Sequence, residues 1–200
     1  MKAILPSVAI LVFSLIGCSQ DPRSVEVFNA GWHFTLDSVY EPWQPAFDDS
    51  GWRSLDLPHD WSIEGSFSAD NPATVGGGAL PGGVGWYRKS FTLPGSAGGK
   101  QIFIEFDGVY QESEVWINGH YLGKRPNGYI SFMYDLTDHI YLGDSLNLVT
   151  VRVDNSRQPN SRWYSGSGIY RDVRLVMTEP VHVDHWGVFV STPTVSEEIA

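Results

Sequence analysis

Through the middle of the chain, apolar residues alternate with polar ones in short runs and do not recur at helical spacing. Ile102, Ile104 and Phe106 alternate with Phe103 and Glu105, which predicts a strand with one apolar face. Val115 and Ile117 alternate with Glu114 and Trp116, and Asn118-Gly119 supplies the type I′ turn of a tight hairpin into His120-Tyr121-Leu122. Further strands are predicted at Gly31–Leu36, across Leu55 and Leu57, and over Trp86–Leu93, Ile130–Leu136, Leu146–Val153 and Asp172–Met177. Pro58 and Pro94 stop two of these runs, because proline cannot donate to a ladder. The glycine-rich stretch from Asn71 to Gly85 lacks a Gly-Lys-Ser/Thr ending and leads into a strand, so it reads as a loop and not as a phosphate cradle. About eight short strands with little helical signal predict an all-β chain, a two-sheet sandwich of jelly-roll or immunoglobulin type.

After Glu179-Pro180 the alternation restarts with Val181-His182-Val183 and Trp186–Pro193. This predicts the first strands of another β-domain within residues 181–200, with more of the same polypeptide needed to close it.

Composition adds 14% aromatic residues, including 8 Trp, together with 21 Gly, which suits strands joined by turns. The net charge is −10. An acidic chain without a basic stripe excludes a nucleic-acid surface. The six histidines show no metal-site spacing, so no metal or other cofactor is expected from this chain.

The N-terminus carries its own signal. Met1-Lys2 precedes an apolar run from Ile4 to Ile16, too short for the roughly 20 residues that span a bilayer. Leu15-Ile16-Gly17-Cys18 resembles a bacterial lipobox, and Cys18 is the single cysteine of the chain. Residues 1–17 therefore read as a lipoprotein signal peptide, Cys18 as the lipidation site and 18–25 as a tether. The expected location is exported and membrane-anchored, at the periplasm or the cell surface, with the lipid as the only membrane contact. Ordinary secretion with an incidental Cys18 is the simpler alternative.

The run Arg162-Trp163-Tyr164-Ser165-Gly166-Ser167-Gly168-Ile169-Tyr170-Arg171-Asp172-Val173 holds three large aromatic residues, two glycines and the arginines. It feeds directly into a predicted strand, and an irregular aromatic loop on a rigid sheet is a place where binding residues sit. Aromatic faces stack on the C–H patches of a pyranose, and a guanidinium donates to hydroxyls in a fork. Trp163 and Tyr164 could equally wedge this domain onto a neighbour. His59-Asp60 reads as a hydrogen-bonded pair stapling a loop, and Glu112 with Glu114 as a solvated strand face opposite Val115 and Ile117.

Four motifs in order carry a family resemblance. They are Leu57-Pro58-His59-Asp60-Trp61, then Gly85–Phe91, then Phe106–Gly119, then Arg162–Val173. Together they resemble glycoside hydrolase family 2, on its β-galactosidase side. The resemblance implies a sugar-binding jelly roll (galactose-binding-like) over 26–180 and the start of an immunoglobulin-like domain over 181–200. It further implies a retaining hydrolysis of β-galactosides or related glycosides by two glutamates on a (β/α)₈ barrel, with no catalytic residue in this chain. Arg162, Trp163, Tyr164 and Ser165 match the loop that reaches the sugar pocket. Two departures stand out. Tyr110 replaces an asparagine that reaches the sugar in some members, and Asn160-Ser161-Arg162 precede Trp163 where some carry an aspartate that touches both galactose and a sodium ion, so no metal ligand is assumed. The expected partners are a carbohydrate and the downstream domains of the same polypeptide. The competing reading is a free-standing carbohydrate-binding surface lipoprotein, and a third is an adhesion sandwich without a sugar site.

Overall fold

The computed structural model describes residues 22–36 and 40–196. The residues read as a signal peptide, Cys18, the first part of the expected tether and residues 37–39 and 197–200 lie outside the described residues. Among the described residues, ten strands form two antiparallel sheets. They are β1 Arg23–Val27, β2 Trp32–Leu36, β3 Arg53–Leu55, β4 Gly83–Leu93, β5 Gln101–Phe106, β6 Ser113–Ile117, β7 His120–Arg125, β8 Phe132–Asp135, β9 Gly143–Asn155 and β10 Val173–Thr178. One sheet has the order β1-β10-β5-β8 and the other β3-β2-β4-β9-β6-β7.

The alternation decides which side chains face inward. Ile102, Ile104 and Phe106 of β5 pack with Val173, Leu175 and Met177 of β10 against Val149, Val151 and Val153 of β9 and Val115 and Ile117 of β6. Each fully buried side chain of this size contributes about 1.5–3 kcal/mol. The Asn118-Gly119 turn forms as expected, with φ of 50° and 82° at its two central residues.

Four features depart from the pattern. β1 begins at Arg23, inside the expected tether, and pairs along its whole length with β10. β4 starts three residues before Trp86 because Gly83 to Gly85 pair with Asn155 to Val153. A side chain at Gly85 would meet the Trp61 ring at 2.5 Å, so the sheet can continue under Trp61 only with glycine there. The outer face of β6 is not simply solvated: Trp116 stacks under Trp43, with ring centroids 5.5 Å apart, and beside Trp86 at 5.7 Å. Finally, residues 181–196 contain no strand. Val181, Val188, Phe189 and Val190 are exposed there, and alternation without a ladder partner does not make a strand.

Arg88 holds the cover over that outer aromatic cluster. Its side chain is buried and donates to Asp49 Oδ2 (2.9 Å), to the Gln44 carbonyl (3.1 Å), to the Phe47 carbonyl (3.2 Å) and to the Pro42 carbonyl. One guanidinium thus ties down the loop that carries Trp43.

Candidate functional site

At the end of the sandwich where β5, β7 and β9 finish, the connections 107–112, 126–131 and 156–172 come together with residues 59–62. The backbone of 59–62 runs beside the loop after β9 almost as an extra strand. His59 N–H donates to the Ile169 carbonyl (2.8 Å) and Trp61 N–H to the Ser167 carbonyl (3.0 Å). Asp60 closes the join: its Oδ1 accepts Ser62 N–H (3.0 Å) and Ser167 N–H (2.8 Å), and its Oδ2 accepts the Tyr164 hydroxyl.

A buried polar chain supports the join from below. Asn155, at the end of β9, donates through Nδ2 to Ser167 Oγ (2.7 Å), and Ser167 and Ser62 hydroxyls lie 2.6 Å apart. The Ser62 hydroxyl donates in turn to the Pro81 carbonyl at 2.6 Å. Every proton in that chain has an acceptor, which a buried polar network requires. Asn155 Oδ1 also accepts from Gln158 Nε2 and Asn160 Nδ2, each at 2.7 Å, and so fixes the start of the loop as well.

Both loop glycines are required by close approach. A Cβ at Gly166 would lie 2.2 Å from Asp60 Oδ2, and one at Gly168 would lie 2.4 Å from the Tyr87 hydroxyl. Gly168 also has φ of 126°, which L side chains rarely adopt.

The hydrogen-bonded pair read from His59-Asp60 does not form; Asp60 alone staples the loop. The His59 ring turns away, 2.7 Å from the Tyr87 hydroxyl on one side and 2.8 Å from the Arg53 guanidinium on the other, with Glu64 at 3.3 Å. Burial lowers the His59 pKa.

The assembled loops leave a cleft of about 230 Å³ lined by Asp60, Tyr110, Tyr129, Trp163, Tyr164, Ser165, Gly166 and Tyr170. Trp163 is 61% exposed and Tyr164 41%, so aromatic faces remain open to a ligand. Trp163 Nε1 donates to the Tyr129 hydroxyl (3.3 Å), the Tyr110 hydroxyl to Asn160 Oδ1 (3.1 Å) and the Tyr170 hydroxyl to the Gly128 carbonyl (2.8 Å). Tyr110 and Tyr129 meet edge to face at 5.3 Å. Desolvation, reinforced by the bond to Asp60, pushes the Tyr164 phenol up, so it stays a donor. An aromatic cleft with a few convergent hydroxyls and one carboxylate suits a polyhydroxylated ring with apolar faces.

Of the four residues expected here, Trp163, Tyr164 and Ser165 line the cleft. Arg162 does not; it is exposed and makes no hydrogen bond or ion pair among the described residues. Tyr129 was not read as a site residue. Its one local sign is the preceding Asn127-Gly128 turn, where Asn127 Oδ1 accepts Tyr129 N–H at 2.8 Å. Glu112 and Glu114 are held by Lys124 (2.6 Å) and Arg152 (3.0 Å), as structural carboxylates would be.

Residues 25–180 match the model of the sugar binding domain of glycosyl hydrolases family 2. The β-galactosidase BoGH2A of Bacteroides ovatus is 58% identical over 179 residues, covering 90% of this chain and 21% of that protein. A β-glycosidase structure from Bacteroides vulgatus superposes with a TM-score of 0.77 at 48% identity, over 80% of this chain and 21% of the other. A Bacteroides uniformis β-glucuronidase structure does so with a TM-score of 0.75 at 33% identity, over 88% of this chain and 21% of the other. The chain thus spans about a fifth of the length of the proteins it matches.

Proposed function

The chain belongs to glycosyl hydrolases family 2 through its sugar binding domain, and from that premise we propose that it is the N-terminal portion of an exported β-glycosidase that removes terminal β-galactosides with retention. Its own part is to lend the cleft wall of Trp163, Tyr164 and Ser165 to a sugar pocket completed by later domains. One observation carries this reading: the loop is stapled by Asp60 and Asn155, yet leaves the Trp163 and Tyr164 faces exposed. A loop serving only the fold would bury them.

Bond cleavage falls to two carboxylates about 5–5.5 Å apart on another domain of the polypeptide. The paired Glu112 and Glu114 are already engaged by basic partners and are not candidates. Residues 181–200 begin an immunoglobulin-like domain, and their exposed Val181, Phe189 and Val190 are the apolar side chains such a domain would bury. Cys18 carries the lipid that anchors the protein at the membrane, and the lipobox-like Leu15–Cys18 supports this. The choice of β-galactoside rests on the β-galactosidase name of the Bacteroides ovatus relative.

The reading is tested by titrating the chain with methyl β-galactoside while following tryptophan fluorescence. A saturable change that Trp163→Ala abolishes is expected; a change that survives Trp163→Ala undiminished would overturn a sugar wall in this cleft. The pure chain is expected to leave aryl β-galactosides intact, and turnover would overturn the placement of catalysis on another domain.

A further inference from the structure

Beside the aromatic cleft lies a second hollow that the proposed function does not use. It has a volume of about 170 Å³ and is lined by Gln111, Glu112, Lys124, Asp154, Arg157 and Asn160. The two share a wall. Gln111 follows Tyr110 in the chain, and Asn160 Oδ1 accepts the Tyr110 hydroxyl at 3.1 Å and lies 3.3 Å from Ser165 Oγ. A ligand that crosses this wall enters both hollows.

The lining of the second hollow has two carboxylates, Glu112 and Asp154, and two cations, Lys124 and Arg157, so its formal charges cancel. That balance matches a neutral ligand better than a phosphate or a metal ion. The groups also differ in how far they are already engaged. Glu112 pairs with Lys124 at 2.6 Å, and Asp154 with Arg152 at 2.8 Å. The side chains of Gln111 and Arg157 make no hydrogen bond or ion pair among the described residues. Between them they offer an amide donor and acceptor and a five-donor fork, the complement of neighbouring hydroxyls.

We propose that this polar hollow is a second carbohydrate subsite, which holds the next neutral sugar unit of an oligosaccharide whose terminal unit lies against Trp163 and Tyr164. The proposal rests on the reading of the aromatic cleft as a sugar wall. It makes this domain a reader of chain length: a simple glycoside engages one hollow and an oligosaccharide two.

The test is an NMR titration of the chain with methyl β-galactoside and, separately, with a neutral galactose-terminated tetrasaccharide. The observed signals are the Trp163 indole N–H, the Gln111 side-chain amide and the Arg157 Nε–H. The monosaccharide glycoside should move Trp163 alone. The tetrasaccharide should move all three signals and reach saturation at about tenfold lower concentration, the worth of one charge-assisted hydrogen bond. Arg157→Ala and Gln111→Ala should each remove most of that gain and leave the monosaccharide titration as it was. If the tetrasaccharide moves Trp163 but not Gln111 or Arg157, or binds no tighter than the monosaccharide, the second subsite is overturned and the aromatic wall stands. If sugars move Gln111 or Arg157 but never Trp163, the aromatic wall itself is overturned, and with it a subsite reached across that wall.

Discussion

Asp60 Oδ2 accepts the hydroxyl of Tyr164, 104 residues further along the chain, while Asp60 Oδ1 takes the backbone N–H groups of Ser62 and Ser167. Asp60→Ala leaves the buried Ser167 N–H without an acceptor, a cost of about 1–3 kcal/mol. A calorimetric melt should show a Tm lowered by a few degrees per kcal/mol. Asp60→Asn keeps an oxygen for the two N–H groups and should recover most of the loss. Equal destabilisation by both variants would contradict the staple.

Gly168→Ala should destabilise the chain more than an ordinary loop substitution. The new Cβ would lie 2.4 Å from the Tyr87 hydroxyl and 2.7 Å from the His59 carbonyl, at φ of 126°. Overpacking of this kind costs about 1–3 kcal/mol before backbone strain is added. Urea melts that superimpose on wild type would remove the close approach from the account of this loop.

Removing Arg88 should unseat the loop that covers the outer aromatic cluster. Arg88→Met deletes bonds to Asp49, Gln44, Phe47 and Pro42 together. The released carbonyls can rehydrate, so the cost should fall near the lower end of the range for a broken buried pair, about 3 kcal/mol. Trp43, Trp86 and Trp116 would gain water, and a red-shifted tryptophan emission in the folded variant is the expected sign. An unchanged emission maximum would show that another group holds the loop.

His59 makes stability depend on pH in a stated direction. Its pKa is lowered by burial, so the unfolded chain takes up a proton more readily than the folded one. The His59 contribution is complete above the ordinary histidine value of about 6.5 and is lost as pH falls from there towards the lowered folded value. Melts at pH 7.5 and 5.5, run on wild type and on His59→Gln, should show a larger acid loss in wild type. A variant as acid-sensitive as wild type would assign the slope to other groups.

The two-sheet sandwich was legible because its inner positions alternate apolar side chains without interruption, as in Ile102, Ile104 and Phe106. β1 was not, because Val25 and Val27 point outward on an edge strand, 53% and 71% exposed, and leave no apolar face to read. Trp86 and Trp116 shared a face with polar residues in the alternation; only the fold brings Trp43 across to cover them. Within the candidate site, the composition of Arg162–Val173 marked the loop, but not which of its side chains turn inward. Arg162 is not among the residues lining the cleft, while Tyr129 arrives from a separate connection. Such convergence is set by strand order, which local pattern does not encode.

The pairing of β1 with β10 places Arg23 opposite Thr178, and Glu179 N–H reaches the Pro22 carbonyl at 3.1 Å. The chain therefore enters and leaves this domain at one corner, at the opposite end of the sheet from the cleft. Tension applied between residue 22 and residue 179 would act on that corner alone. It would peel β1 from β10 one hydrogen bond at a time, as a zipper opens, and would not shear the sandwich across its width. The Asp60–Tyr164 join lies off this line of force, so the cleft would keep its shape under a pull that had already begun to lift the first strand.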